Sequence, residues 1–372
     1  MIDKRKIKVL HVAPLPPPMG GMVSYIQGLL GSDVFKTIDY KVVRLNILNK
    51  EEYSGIVRII VNYLNSFLLT INYLFMLIFW SPDIVHIQSN SGLGFFEKMW
   101  LAFLGKLLGR KTIVHVHGGN MRDWYHQSSS PIQKLIRKSA SINDRIMTGS
   151  PQMKETWQII GLPDEKITYV GNAVNLPSEI TKIPKDNLSI LFLTRVVLEK
   201  GIIELIDAFI LLSKEYPDLE LRIVGADTKD TVFVKKYLEE KDEKKIIKYI
   251  GSVTDEQKHQ EYLYADIFAF PTYIEDQSYA IMEAMSYGLP CVASNVGGVP
   301  SLIQDGVNGL LIKPKDVNSL KEGLNSLILD GEKRYFLGRN AHETIENGFT
   351  WEVRSKEIVE LYKSIIQKTN HS

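Results

Sequence analysis

The sequence predicts an α/β protein made of two doubly wound, Rossmann-like halves facing across a central cleft. Three observations predict it. Short apolar runs rich in β-branched residues alternate with helix-period stretches, the pattern of parallel sheet with crossover helices. A polar segment with two prolines, LPSEITKIPKDN (176–187), interrupts that alternation, which then starts again. The chain has 372 residues, too many for one typical core, so two domains are expected. In such folds ligands bind beyond the carboxyl ends of the strands, which makes the cleft the expected site.

The elements follow in order. IKVLHVA (7–13) reads as a buried strand. A rigid PLPPPMGG loop comes next, then a helix from about Met22 to Leu30. Further strands are expected at DYKVVRL (39–45), DIVHIQ (83–88), KTIVHVHG (111–118), DRIMTGS (144–150) and KITYVG (166–171). Residues 176–187 are the expected linker. Beyond it, LSILFLT (188–194), LELRIVG (219–225), IIKYIG (246–251), DIFAFP (266–271) and PCVAS (290–294) are expected strands, with helices between them.

Two apolar helices stand out. Residues 56–80, IVRIIVNYLNSFLLTINYLFMLIFW, are long enough to cross a bilayer. On a helical wheel, however, Arg58, Asn62, Asn65, Ser66 and Asn72 gather into one polar stripe. The leading expectation is a core helix packed under the first sheet. A helix lying flat on a bilayer is the alternative. A true span is disfavoured, because a sheet strand follows directly. Residues 94–111 carry Phe95, Phe96, Trp100 and Phe103 with Lys98, Lys106, Arg110 and Lys111. That composition suits a membrane-facing helix, although packing in the first half accounts for most of it.

Composition narrows the function. Cys291 is the only cysteine, which excludes an intrachain disulfide and a cysteine-built zinc site, and fits a reducing, cytosolic setting. Lys4-Arg5-Lys6 is followed by too short an apolar run to read as a secretory signal. The net charge of +1 hides an asymmetry: residues 1–175 carry 20 Lys+Arg against 12 Asp+Glu, and the remainder 24 against 31. A basic half suits an anionic membrane or acceptor. With no dense cationic stripe interleaved with aromatics, nucleic acid is not an expected partner.

Several constellations could carry chemistry. Gly20-Gly21 end the first loop and open a helix, where a phosphate could approach backbone N–H groups, although a plain turn explains them as well. Arg195 and Lys200 in TRVVLEKGI follow a strand and could clamp a diphosphate; alone, they read as surface charges. His117, before Gly118-Gly119, stands at a strand's carboxyl end. In EDQSYAIMEAM (275–285), a helix is expected to begin near Gln277 or Ser278, with the N–H groups of Asp276 to Tyr279 toward the cleft. Glu275 could accept hydrogen bonds from sugar hydroxyls, and Glu283 could hold a ribose diol. Gly297-Gly298 offer another backbone-only approach.

The E-x7-E pattern followed by EAMSYGLPCVASNVGGVP resembles the donor-site signature of the retaining family 4 glycosyltransferases, which have the GT-B fold. PPPMGGMVSY, SPDIVHIQ, HVHGG, VGNAVN, TRVVLEKG, IVGAD, GSV and FTWE (349–352) resemble that family's other landmarks in the same order. The resemblance implies an acceptor-side domain at 1–175, a donor-binding domain at 176–345 and a C-terminal helix at 346–372 crossing back to the first. It implies that Arg195 and Lys200 neutralise the donor diphosphate, approached also by Gly20 and Gly21. Glu275 would hold the transferred sugar, assisted by Asp276, Gln277, Ser278 and Tyr279, and Glu283 the ribose. Gly251 and Val253 would lie near the base, and His117 against the donor sugar.

The implied chemistry is transfer with retention from a nucleotide-sugar, UDP-linked before GDP-linked, with no cofactor. Without an Asp-x-Asp motif, no metal is expected. The implied acceptor is a lipid-linked glycan in cell-surface polysaccharide synthesis, with the enzyme at the inner face of the plasma membrane. A soluble acceptor, a non-catalytic sugar-nucleotide-binding scaffold subunit and an epimerase are the alternatives. Two departures bear on donor choice: Asp276 stands where the family often has Gly, and Ser301 where it often has Glu.

Overall fold

A computed structural model describes residues 6–17, 20–46, 54–117, 120–242 and 245–367. Gly118 and Gly119, part of the HVHGG motif, lie outside the described residues. The chain divides into two compact units, Met1–Ala173 with Trp351–Ser372, and Val174–Thr350.

Unit 1 contains β1 (Lys8–Ala13), α1 (Gly21–Gly31), β2 (Asp39–Arg44), α2 (Gly55–Phe75), β3 (Ile84–Ser89), α3 (Leu93–Leu107), β4 (Lys111–Val116), α4 (Met121–Gln127), α5 (Ser130–Ser141), β5 (Arg145–Thr148), α6 (Pro151–Ile160) and β6 (Ile167–Tyr169). Its strands pair in parallel in the order β2-β1-β3-β4-β5-β6. Unit 2 contains β7 (Ser189–Leu193), α7 (Ile202–Leu212), β8 (Glu220–Val224), α8 (Thr231–Lys241), β9 (Ile247–Gly251), α9 (Asp255–Tyr264), β10 (Ile267–Phe270), α10 (Tyr279–Ser286), β11 (Cys291–Ser294), β12 (Leu310–Ile312), α11 (Val317–Leu329) and α12 (Gly331–Gly348). Its parallel order is β12-β11-β10-β7-β8-β9. The last helix, α13 (Trp351–Gln367), belongs to unit 1, where the Tyr362 hydroxyl meets His86 Nδ1 at 2.6 Å.

Each sheet reverses direction once. In unit 1 the reversal lies between β1 and β3, and in unit 2 between β7 and β10. Loops on either side of such a point diverge and leave a crevice at the strands' carboxyl ends. The interior strands β1, β3, β4, β7, β10 and β11 are buried on both faces, as the crossover helices require, while the edge strands β2, β6, β9 and β12 are only partly covered.

Two expectations are corrected. The segment 176–187 is not a free linker. Lys182 Nζ donates to the Tyr262 and Ala265 carbonyls at 3.2 and 2.9 Å, and Lys185 Nζ pairs with Asp266 at 2.8 Å, strapping the segment to unit 2. Nor is the 56–80 helix a core helix. α2 and the π-helical turn Met76–Trp80 that continues it bury only Asn65, Leu69, Tyr73 and Leu77 and leave most of their apolar side chains in solvent. The middle of its polar stripe faces the protein, where Asn65 Nδ2 donates to the Leu45 carbonyl at 3.0 Å and Ser66 Oγ to Glu97 at 2.5 Å, while Arg58 and Asn72 at the edges of the stripe are exposed. A backbone carbonyl and a half-buried carboxylate need partners, and a polar stripe supplies them.

Candidate active site

The loops after β7 and β10 flank the reversal of the unit 2 sheet, and each supplies one charge. Lys200 Nζ lies 2.7 Å from Glu275 Oε2, both side chains being largely shielded from solvent. The ammonium also sits 5.2 Å from the Phe270 ring centroid, a favourable cation–π position.

The backbone around this pair is tightly braced. The N–H of Tyr273 donates to the Glu199 carbonyl at 2.8 Å, and the N–H of Leu198 to Asp230 at 3.1 Å. Gly201, at φ +72°, lets the Lys200 turn lie against the Pro271 carbonyl; a Cβ there would come within 2.0 Å of that oxygen. Gly297, at φ +49°, does the same for Glu275, whose carbonyl oxygen would be 1.8 Å from an added Cβ. The N–H of Gly298 donates to that carbonyl at 3.3 Å. The Gly297-Gly298 loop therefore acts as a brace behind Glu275, a role beside its expected reading as a ligand approach. Sequence reasoning missed the bracing roles of Gly201 and Gly297, because a clamp glycine and a turn glycine look alike in one sequence.

The α10 N-terminus also departs slightly from expectation. The helix begins at Tyr279, and Ser278 is its N-cap, accepting from the Ile281 N–H at 3.4 Å. Gln277 and Ser278 are buried, and Gln277 Nε2 reaches toward Ser301 Oγ at 3.5 Å. Ser301 in turn donates to the Gly298 carbonyl at 2.6 Å, so the residue at the family's usual Glu position is part of the same brace. The N–H of Asp276 donates to Glu275 Oε1 at 3.2 Å.

Glu283 points elsewhere. Its two oxygens accept from Lys258 at 3.0 Å and from the Tyr262 hydroxyl at 2.9 Å, both on α9. Gly251, which ends β9, and half-buried Val253 lie just before α9 in the chain. Arg195 is exposed on the loop after β7. Unit 2 thus brings Lys200 and Glu275 into contact, places Asp276, Gln277 and Ser278 directly after Glu275 in the α10 N-terminal turn, and sets Glu283 in a second polar cluster with α9.

In unit 1, Gly20 caps α1 with extended backbone, and open space stands where a Cβ would project. Gly21 is the first residue of α1. His117 follows β4; its Nε2 meets Gln88 Oε1 at 2.5 Å and its ring packs edge-on against Tyr25. Gln88 and Tyr25 are further partners that the sequence reading did not single out. Burial lowers the His117 pKa to about 3, so the imidazole is neutral at physiological pH.

Two family models match consecutive stretches: Glycosyltransferase Family 4 over residues 48–177, and Glycosyl transferases group 1 over residues 177–344. The chain belongs to the family 4, group 1 glycosyltransferases. It is 26% identical over 243 residues to the capsular polysaccharide biosynthesis glycosyltransferase CapM of Staphylococcus aureus, covering 63% of this chain and 62% of that one. It is 26% identical over 314 residues to the alpha-monoglucosyldiacylglycerol synthase of Acholeplasma laidlawii, covering 77% of each. The chain spans about half to two thirds of the length of the first curated relatives it matches. Among solved structures, HepE of Anabaena in complex with UDP superposes with a TM-score of 0.74 at 18% identity, over 96% of this chain and 100% of that one. The fold of this family 4 glycosyltransferase is therefore GT-B.

Proposed function

We propose that this chain is a retaining, metal-independent glycosyltransferase that moves a sugar from a UDP-sugar to a lipid-linked glycan in cell-surface polysaccharide synthesis, at the cytoplasmic face of the membrane. The observation that carries the reading is the Lys200–Glu275 pair at the reversal of the unit 2 sheet. A diphosphate entering there offers Lys200 a more highly charged anion than Glu275. The carboxylate is then released to accept hydrogen bonds from sugar hydroxyls. Arg195, exposed on the same loop, adds a second cation. As the glycosidic bond breaks, negative charge grows on the diphosphate, and preorganised cations lower that barrier. Retention without a protein nucleophile places the burden on leaving-group stabilisation and orientation rather than on a paired-carboxylate scheme. Neutral His117 can contact a sugar hydroxyl without adding charge.

Glu283 would hold the ribose by exchanging one of its present donors, Lys258 or Tyr262, for the diol, with Gly251 and Val253 bordering the base. The nearest functional support is the polysaccharide and glycolipid chemistry named for CapM and the Acholeplasma enzyme, and the UDP bound by HepE. The test is transfer from labelled UDP- and GDP-sugars with lipid extract as acceptor and Glu275→Ala as control. Label should enter the lipid fraction from a UDP-sugar and vanish in the variant. Label that enters only a water-soluble product would replace the acceptor.

A further inference from the structure

α2 is amphipathic with its faces reversed. Its protein-facing stripe is tied down at several points: besides Asn65 and Ser66, the Tyr73 hydroxyl donates to the Leu101 carbonyl at 2.9 Å, and Arg110 Nη2 donates to the Leu77 carbonyl at 3.3 Å. The opposite face presents Ile56, Ile60, Tyr63, Phe67, Ile71 and Phe75 at helical spacing, each at least half exposed. Tyr63 is 75% exposed. Over 21 residues this stripe runs for about 30 Å, and an apolar surface of that length on a protein marks a contact with something else. α3 packs beside α2 and extends the surface with exposed Trp100, Phe103 and Leu107.

Charge identifies the occupant. α2 has one charged residue, Arg58. α3 has Lys98 and Lys106 with Glu97, which is paired with Lys98. α5, packed against α3, has exposed Lys134, Arg137 and Lys138, no acid, and half-exposed Ile132 and Leu135 among them. With Lys98 paired to Glu97 and Lys106 to Asp144, four exposed cations remain on these helices, Arg58, Lys134, Arg137 and Lys138, and they would repel each other across a contact between two copies of this chain. A bilayer with anionic headgroups accepts both the apolar stripe and the cations. Lys106 is paired with Asp144 at 2.9 Å and Arg110 is held by a carbonyl, so α5 supplies the freer cations. A span is disfavoured, because Leu69, Tyr73 and Leu77 are built into the unit 1 core and β3, four residues after Trp80, lies in the interior of the sheet.

We infer that α2, α3 and α5 form one docking face on which the chain lies on an anionic bilayer, with α2 in the plane of the interface. The inference gives the lipid-linked acceptor reading its surface and rests on that reading only for its purpose. The test uses the full chain, without donor or acceptor, and vesicles of phosphatidylcholine alone or with about a third phosphatidylglycerol. The chain should float with the anionic vesicles, and Trp100 emission should be quenched by brominated acyl chains. Phe67→Asp with Ile71→Asp should weaken binding at least about tenfold at unchanged circular dichroism. Lys134→Glu with Lys138→Glu should remove the preference for phosphatidylglycerol. A chain that ignores both vesicles, or that forms a dimer abolished by Phe67→Asp, overturns the inference. Transfer to detergent-dispersed lipid acceptor separates the two readings: flotation without transfer removes the acceptor and leaves the surface, whereas transfer without flotation removes the surface and leaves the enzyme.

Discussion

The two units share one architecture and place their polar groups in opposite ways. Unit 2 pairs its buried and half-buried charges. Arg222 bridges Glu220 and Glu261 at 2.6 Å each, Lys248 adds to Glu220 at 2.9 Å, and Lys200 meets Glu275. Unit 1 also pairs charges outside its sheet, at Lys98–Glu97 and Lys106–Asp144, but keeps neutral imidazoles within the sheet. His11, His86 and His115 are buried on neighbouring strands, with ring centroids 5.1 and 5.9 Å apart, and His117 continues the row 3.9 Å from His115. No protein group among the described residues hydrogen-bonds His11 or His115 through either ring nitrogen. Outside, unit 1 is apolar and cationic where unit 2 carries the acidic excess. The difference teaches that one fold can carry two kinds of polar interior, and under the proposed function these serve an anionic donor in unit 2 and a lipid surface outside unit 1.

Acid breaks that symmetry most strongly. Burial lowers the pKa of His11 and His117 to about 3 and pushes those of His86 and His115 well below the usual value. The unfolded chain takes up these protons near pH 6.5, whereas the folded unit does not. Stability is therefore full above about pH 6.5 and is lost as the pH falls below it, each imidazole that stays neutral in the folded chain steepening the loss. All five tryptophans (Trp80, Trp100, Trp124, Trp157 and Trp351) lie in unit 1, so their emission reports that unit alone. The tryptophan-monitored Tm should fall steeply between pH 6.5 and 5. A flat profile would mean that the imidazoles find partners when charged.

The next effect is catalytic. Lys200→Ala should lower turnover by about 100- to 1000-fold, as for loss of one transition-state cation, far more than the stability lost by leaving Glu275 unpaired accounts for. Unchanged turnover would remove Lys200 from the chemistry. Gly297→Ala acts through the backbone. Its positive φ and the Glu275 carbonyl leave no room for a methyl group, so unit 2 should lose about 1–3 kcal/mol by urea denaturation. The weakened brace behind Glu275 should also cost turnover. Arg222→Ala, away from Lys200 and Glu275, should cost about 1–3 kcal/mol by leaving Glu261 without its cation and Glu220 with Lys248 alone, with kcat unchanged.

Much of this was legible in the residues. The strand runs and the restart after residue 187 follow from β-branched periodicity, and the same pattern puts Lys200 and Glu275, 75 residues apart, on loops after strands, where the structure joins them. The polar stripe of α2 was legible too, but not its direction. Periodicity defines two faces and does not say which one meets the protein; that depended on the Leu45 carbonyl and on Glu97, both distant in sequence. Gly201 and Gly297 were opaque for a similar reason: each owes its identity to a carbonyl brought near by another loop. Glu283 was placed on its helix correctly, yet its partners Lys258 and Tyr262 come from α9, which no spacing rule connects to it.

The most direct test of the donor crevice is the affinity for UDP of three proteins measured by calorimetry. If Lys200 trades Glu275 for a diphosphate, Glu275→Gln should bind UDP as tightly as the native chain or more tightly, because the competing carboxylate is gone, while transferring no sugar. Lys200→Ala should bind UDP at least about tenfold more weakly. Equal affinity in all three would contradict the account and return the Lys200–Glu275 pair to a purely structural role.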